Sequence, residues 1–330
     1  MTLVVSKIID GKLHNISDSL ITDKHNFEHT YKPNMDMFTS ILKTAIVHRR
    51  VCISYAGTVK VADDCLNEII NKKSYTVKWV VEYIKKITLN SNNETQFVVC
   101  FIEDDGEIRQ WKIVNGELEN FTNSLLCIGD PRAIQVFEKK FNELINSGTE
   151  ESFAMRTAFD FTLVDDSIES VGHFPIHVKS EKKPLSNGKT IHDEIIFNYS
   201  EMIISRLKHD ITLRPEPGKT WHNFPINPTE DLTGMSMFVT ESVNKFGIAI
   251  YSLSHKKGLL LCPKLDLRRI IFKTVKGETI ESSYQNIIDD IYKKYHLPMR
   301  GLIWLPDVWG VKIIMNFDYN NIQGASKNKQ

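Results

Sequence analysis

The chain lacks several features that would each indicate a class of protein. No apolar run approaches the length of a membrane-spanning helix, and the first residues have neither the basic nor the apolar region of a signal peptide. Lysine plus arginine and aspartate plus glutamate both number 41, so no net charge draws the chain toward nucleic acid or an anionic membrane. We therefore expect a cytoplasmic protein whose partners include neither nucleic acid nor membrane.

Cysteine pairs with metal-ligand spacing are lacking too. The five cysteines are odd in number, and no two stand a few residues apart. Most lie in apolar surroundings, where a free thiol behaves as a small core residue. This pattern is typical of a reducing compartment, and it predicts neither a metal site nor a cofactor. The cysteines are Cys52, Cys65, Cys100, Cys127 and Cys262.

Hydrophobic periodicity predicts the fold class. Hairpin turn signals join short apolar runs, and helical spacing recurs in two pairs of segments. Such an order of strands and helix pairs predicts an α+β fold, a four-layer αββα sandwich with two stacked antiparallel sheets between helices. The predicted strands are 3–9, 12–17, 50–55, 97–102, 107–114, 117–121, 124–128 and 176–179, and the predicted helices are about 60–72, 76–88, 132–146 and 151–164.

The chain of 330 residues is long enough for a second, smaller region. We predict a main domain over residues 1–182 and a connecting segment over 183–232, which is rich in proline and carries one helix near 198–208. Strand and helix patterns restart over 233–330. That last region is predicted to be an α+β extension, and its pattern indicates no role.

The second residue is a candidate nucleophile. A small residue at this position allows methionine aminopeptidase to remove Met1, which leaves Thr2 with both its hydroxyl and a free α-amine. A hydroxyl nucleophile and a weak base on one residue form a known catalytic arrangement. Threonine at position two is also common without any catalytic role, so the rest of the chain must decide.

Four segments in order resemble a known family. They are the opening hairpin with its Ser17-Asp18-Ser19 run, the strand ending at Tyr55-Ala56-Gly57, the meander over 99–129, and the helix and strand over 154–178. Together, residues 2–180 resemble a proteasome β-type subunit, an N-terminal-nucleophile hydrolase, including its bacterial homologue Anbu. The resemblance implies the same four-layer fold and a hydrolase that needs no cofactor.

Two spacings add to the resemblance. Sixteen positions separate Thr2 from Asp18, and fourteen separate Lys43 from Gly57, as the family separates its nucleophile from its aspartate and its lysine from its oxyanion glycine. The loop between Asp18 and Lys43 is longer than in the family, so the lysine is assigned by counting back from Gly57. A gap-free count from Asp18 would instead reach Asn34, which has no charge.

The resemblance implies a role for each of these residues. Thr2 Oγ would attack a carbonyl, and its α-amine, with an ordinary pKa of about 7.7–8.0, would accept the proton. Lys43 would stabilise developing negative charge and keep the amine deprotonated by repulsion. Asp18 would orient Lys43, and the Gly57 N–H would bind the oxyanion.

The same resemblance implies supporting residues. Asp130 occupies a position where the family usually has a serine, and a carboxylate there would raise the pKa of the α-amine. Ser170 is the expected serine of the second supporting segment, with Asp166 as its partner. For substrate, the family pattern implies that Thr22 binds its backbone by strand addition and that Tyr55 lies near the specificity pocket.

The leading hypothesis is a threonine peptidase that cleaves a peptide or protein substrate and self-associates into a homo-oligomer. Asp130 and the long C-terminal region also fit a catalytically inactive scaffold or assembly subunit of the same fold. A small-molecule amidase is the third possibility, because fold does not determine substrate.

Overall fold

The computed structural model describes the greater part of the chain. It covers residues 2–21, 40–72, 74–90, 95–165, 167–168, 170–172, 174–186, 191–200, 235–240, 245–252, 257–264, 269–273, 280–307 and 310–318. Over these residues the fold is α+β, with five helices and three antiparallel sheets. The predicted α+β class is therefore confirmed. The chain divides into two compact units, Met1–Ser200 with Leu261–Arg269, and Glu201–Leu260 with Ile270–Gln330.

The first unit contains ten strands and four helices among its described residues. The strands are β1 (Leu3–Ile9), β2 (Lys12–Ser17), β3 (Thr44–His48), β4 (Val51–Ala56), β5 (Gln96–Ile102), β6 (Ile108–Val114), β7 (Glu117–Asn120), β8 (Leu126–Gly129), β9 (Ile176–Ser186) and β10 (Ile191–Tyr199). The helices are α1 (Val59–Asn71), α2 (Val77–Asn90), α3 (Pro131–Asn146) and α4 (Glu151–Val164).

These strands form two five-stranded sheets. The first sheet has the order β10-β9-β2-β1-β8, and the second has the order β3-β4-β5-β6-β7. Helices α3 and α4 contact each other and the first sheet, through β8 and β2. Helices α1 and α2 contact the second sheet, and strand β1 of the first sheet contacts β4 and β6 of the second.

The face of the first sheet toward α3 and α4 contributes mainly apolar side chains to the core. Leu3, Val5 and Ile16 point from β1 and β2 into a core that contains Phe137 of α3 and Phe159 of α4. Both helices carry buried residues at helical spacing, which is why their sequences were readable as helices. Burial of this face attaches the helix pair to the sheet.

The four predicted helices of the first unit and its predicted strands up to position 128 are present, with shifts of a few residues at their ends. The predicted strands omit β3, and the prediction fails again after position 179. Strand β9 continues to Ser186 and pairs with β10, where an irregular connection was predicted. The helix predicted near 198–208 is wrong at its start, since Tyr199 ends β10, and the remainder lies outside the described residues. Pro184 obscured the strand pattern, because proline usually interrupts a strand. In the structure it lies in the β9–β10 hairpin at the edge of the sheet, where proline is tolerated.

The second unit contains one six-stranded antiparallel sheet and one helix among the described residues. The elements are β11 (Met235–Thr240), β12 (Ile248–Ser252), β13 (Lys257–Leu261), β14 (Ile270–Lys273), α5 (Ile280–Tyr295), β15 (Met299–Asp307) and β16 (Gly310–Asp318). The strand order is β14-β13-β12-β11-β15-β16. Strands and a helix were predicted for 233–330, although the short β14 was not among them.

None of the helices in the described parts of either unit combines the length and apolar character that crossing a membrane requires.

Candidate active site around Thr2

Thr2 lies at the start of β1, the strand between β2 and β8. Its carbonyl oxygen accepts a hydrogen bond from the Asp130 backbone N–H at 2.8 Å, directly after β8. On the other side, the Asp18 N–H donates to the Leu3 carbonyl at 3.1 Å, directly after β2. The two neighbouring strands thus deliver Asp18 and Asp130 to either side of the candidate nucleophile.

Gly129 permits this close approach at the end of β8. Its φ is +121°, and a Cβ at this position would overlap the Thr2 carbonyl oxygen. Only glycine combines that backbone conformation with room for the Thr2 carbonyl. Gly129 was not among the predicted site residues, although a glycine that closes a strand was an available signal in the sequence.

The Asp18 carboxylate is completely buried and accepts four hydrogen bonds. Oδ1 accepts from the Leu3 N–H at 3.0 Å, the first amide after Thr2. Oδ2 accepts from Lys43 Nζ at 2.9 Å, from the Leu20 N–H at 3.2 Å and from the Gly172 N–H at 3.4 Å. This set of donors fixes the orientation of the carboxylate.

The Lys43 ammonium is buried together with its partner, since the two side chains are 1% and 0% exposed. Burial lowers the pKa of Lys43, and the charge and hydrogen bond of Asp18 oppose that shift. Desolvation of two charges costs free energy that their attraction does not reliably recover. A buried pair of this kind is therefore poor evidence for stability and is typical of positions where charge has a function.

The segment that carries Lys43 is tied to the end of β4. The Lys43 carbonyl accepts a hydrogen bond from the Tyr55 N–H at 3.1 Å. The Tyr55 side chain is fully buried and lies beside Phe97, with ring centroids 6.4 Å apart. Asn34 and Thr22 both lie outside the described residues.

Gly57 follows β4 and precedes α1. Its φ is +114°, a region that favours glycine. Helix α1 begins at Val59, and its first turn has no acidic residue. Because the N-terminus of a helix carries partial positive charge and unpaired N–H groups, the end of β4 favours a nearby anion.

Asp130 and Ser170 form a second polar pair. Ser170 Oγ donates a hydrogen bond to Asp130 Oδ2 at 2.5 Å, and both residues are buried. Asp130 Oδ1 accepts from the Arg132 N–H at 2.8 Å and so caps helix α3, with Pro131 as its first residue. Burial alone would raise the pKa of Asp130, but the hydrogen bonds from Ser170 and Arg132 and the Arg132 charge hold it below its ordinary value.

Residues 170–172 connect the two pairs. Ser170 binds Asp130, and two positions later Gly172 donates to Asp18 and accepts from the Ser19 N–H at 3.3 Å. The predicted residues thus form two hydrogen-bonded groups, Thr2 with Asp130 and Ser170, and Asp18 with Lys43. Leu3 and Gly172, which both donate to Asp18, connect the two groups along the chain. Asp166 lies outside the described residues.

One group of potential metal ligands occurs elsewhere among the described residues. Glu103, Asp105 and Glu107 cluster at the turn between β5 and β6, with the last two exposed. Arg109 already pairs with Glu103 and Glu107. The Arg109 guanidinium already neutralises part of the carboxylate charge, so the cluster does not indicate a metal site.

The chain matches no model of a known protein family, and no curated protein matches it significantly.

Proposed function

We propose that the protein is an N-terminal threonine hydrolase that resembles a proteasome β-type subunit. The observation that carries the proposal is the buried Asp18–Lys43 pair, because Asp18 binds the first amide after Thr2 and holds an ammonium there. Opposite that pair, the Asp130 backbone N–H donates to the Thr2 carbonyl, and Ser170 Oγ donates to the Asp130 carboxylate. Structural stability does not require this many polar groups around one strand end.

We infer that the first unit is a four-layer αββα sandwich. The contacts of α3 and α4 with the first sheet, of β1 with β4 and β6, and of α2 with β5 and β6 support that layer order. A sandwich of this kind brings the start of β1 close to the ends of β2, β4 and β8, which lie in two different sheets. The proposed site draws residues from each of those strand ends.

The proposed reaction begins once Thr2 has a free α-amine. The amine takes the proton from Oγ, and Oγ attacks the carbonyl carbon of an amide. The Gly57 N–H and the N-terminus of α1 favour the oxyanion, as donors in other acyl-transfer enzymes do. When the intermediate collapses, the C–N bond breaks and the protonated amine returns its proton to the leaving nitrogen. Water then hydrolyses the Thr2 ester.

Lys43 and Asp130 would set the pKa of the α-amine in opposite directions. A buried ammonium lowers the pKa of a neighbouring amine, which keeps it available as a base. A buried carboxylate raises it. Asp130 already has both oxygens in hydrogen bonds, from Ser170 and Arg132, which weakens its attraction for a further proton. We therefore assign Lys43 the larger influence.

The first test is whether Thr2 becomes an active nucleophile. The full chain, released from an N-terminal ubiquitin fusion so that it begins at Thr2, is incubated with a peptidyl β-lactone. Attack by Oγ breaks the ring C–O bond and moves the proton to the new alkoxide, so the intact mass rises by the whole mass of the lactone. We expect one addition to the wild type and to Thr2→Ser, and none to Thr2→Ala.

Digestion of a peptide library then distinguishes the substrate class. Cleavage that disappears in Thr2→Ala supports a peptidase. Labelling without any peptide cleavage would favour a small-molecule amidase of the same chemistry. Absence of labelling in a folded protein with a verified Thr2 N-terminus would contradict the hydrolase proposal.

One observation favours an inactive scaffold as the second candidate. Thr2 is only 2% exposed in the structure, so a substrate carbonyl has no direct approach to Oγ. Activity would require that removal of the preceding residue opens this approach. Intact mass of the untagged protein from its own host decides whether that removal occurs, and a chain that always retains Met1 would support the scaffold.

A further inference from the structure

The region between the two sheets of the first unit contains an unusual amount of polar structure. The side chains that meet there come from both sheets and have no exposed surface. Stacked sheets ordinarily bury apolar side chains against each other. The polar set comprises Ser6, Asn15, Ser17, Thr44, Ser54, Cys100 and Gln110.

Thr44 lies at the centre of the part nearest Lys43. Its Oγ1 donates to Ser17 Oγ at 2.8 Å and lies 2.8 Å from Ser54 Oγ. Asn15 Oδ1 accepts from Ser54 Oγ at 3.0 Å and lies within 3.5 Å of Thr44 Oγ1. Two residues of β2 in the first sheet are thereby bound to two residues of β3 and β4 in the second.

The network continues away from the site. Asn15 Nδ2 donates to Cys100 Sγ at 3.6 Å, and Ser6 Oγ donates to Gln110 Oε1 at 2.8 Å. Gln110 Nε2 in turn donates to the carbonyls of Phe121 and Ser124 at 2.7 and 2.8 Å. Buried polar groups that are fully satisfied specify one arrangement of the elements that carry them.

The Thr44 end of the network lies next to the Asp18–Lys43 pair along the chain. Ser17 immediately precedes Asp18, and Thr44 immediately follows Lys43, so the Ser17–Thr44 bond and the Asp18–Lys43 pair join the same two segments. The Thr44 carbonyl is also held, because Tyr199 Oη of β10 donates to it at 3.1 Å. Thr44 is therefore bound through its side chain and its backbone.

We propose that Thr44, anchored by Ser17 and Asn15, is the positioning residue for Lys43. The hydroxyl fixes the start of β3 against β2, so that the ammonium arrives at Asp18 in one conformation. The expected effect of Thr44 on catalysis rests on the proposed hydrolase function. Its effect on the Asp18–Lys43 pair does not. A lysine side chain has many rotamers. When the backbone that carries it is fixed, few of these rotamers place the ammonium at Asp18.

The test compares three variants in the full chain that begins at Thr2. Thr44→Val keeps the shape and removes the hydroxyl, Thr44→Ser keeps the hydroxyl, and Ser6→Ala removes a buried hydrogen bond at the far end of the same network. One readout is the NMR titration of the Lys43 ammonium, assigned by its loss in Lys43→Arg. The other is the rate of labelling by the peptidyl β-lactone.

For Thr44→Val we expect a displaced Lys43 titration and labelling slowed roughly 10- to 100-fold, the size of effect that a displacement of about 1 Å produces. Thr44→Ser should restore both readouts. Ser6→Ala should lower the denaturation midpoint yet leave the Lys43 titration unchanged and labelling within about twofold. If Thr44→Val does not fold, Ser17→Ala removes the acceptor of the Thr44 hydroxyl and should displace the same titration.

The outcomes separate this inference from the proposed function. A Lys43 titration that is unchanged in both Thr44→Val and Ser17→Ala would overturn the positioning role, as would an equal displacement in Ser6→Ala. If the wild type is not labelled while Thr44→Val still displaces the titration, the positioning of Lys43 stands and the hydrolase proposal fails.

Discussion

The two faces of the first sheet are held by different interactions. Toward α3 and α4, Leu3, Val5 and Ile16 pack in an apolar core. Toward the second sheet, Ser6 and Asn15 of the same strands take part in hydrogen bonds. Apolar packing is strong but not directional, whereas buried hydrogen bonds are directional and add little net stability. The apolar face therefore contributes most of the stability of the unit, and the polar face specifies how its two sheets are aligned.

The largest expected effect lies on the apolar face. Phe137 is fully buried, with its ring 5.8 Å from Phe141 and 6.5 Å from Phe159. Phe137→Ala removes apolar burial and leaves a cavity, so we expect the free energy of unfolding to fall by about 3–5 kcal/mol. Urea denaturation measures this, with Phe137→Leu as the milder control. A loss under about 1 kcal/mol would show that the core rearranges around the vacancy.

A loss of similar or slightly smaller size is expected at the buried ion pair. Lys43→Met leaves the Asp18 carboxylate buried without its cation, which costs about 3–5 kcal/mol in other proteins. The backbone donors that remain on Asp18 place the expected value at the lower end. Combination with Asp18→Asn should recover much of the loss, because the uncompensated charge is then removed. A double variant no more stable than Lys43→Met would contradict this account.

A pH effect is expected on the side of the sheet that faces α4. His14 and His177 stack with ring centroids 5.3 Å apart, and within the described part of the chain neither His177 nitrogen has a hydrogen-bond partner. Burial lowers the pKa of His177 well below 6.5, and the charges of His14, Arg156 and Lys179 lower it further. As the pH falls below 6.5, the unfolded chain therefore binds the proton first, and the stability of the folded state declines.

The decline should approach about 1.4 kcal/mol per pH unit for this one group, until the folded-state pKa is reached. Denaturation curves at pH values from 7.5 to 5, chosen about the ordinary histidine pKa, would measure it. The matched variant His177→Phe should have a shallower slope. Equal slopes in both proteins would show that other groups dominate the acid sensitivity.

The smallest effect is expected at an exposed pair on α2. Lys85 Nζ lies 3.4 Å from Glu82 Oε1, with the two side chains 32% and 61% exposed. Water and salt screen such a pair, so Lys85→Ala should change the unfolding free energy by less than about 0.5 kcal/mol. A change above about 1 kcal/mol would reveal a role in packing beyond the ion pair.

Much of the fold was readable because its signals are local. The Asp10-Gly11 and Asn115-Gly116 turns predict their hairpins, and the spacing of apolar residues predicts α1 to α4. Strands β9 and β10 were not readable in full. Apolar and polar residues alternate only weakly along these two strands. Hydrogen bonds between the strands hold them together, and such bonds leave no pattern in the sequence of either strand.

The candidate site divides in the same way. The residue types Thr2, Asp18 and Lys43 and their spacing along the chain belong to the sequence, and they suffice to propose a chemistry. That Lys43 reaches Asp18, that Asp130 caps α3 while it binds Ser170, and that Gly129 alone can accommodate the Thr2 carbonyl were decided by tertiary structure. The physical reason is distance along the chain. Periodicity and turn chemistry act over a few residues, whereas a buried charge finds its partner only when packing brings two separate strand ends together.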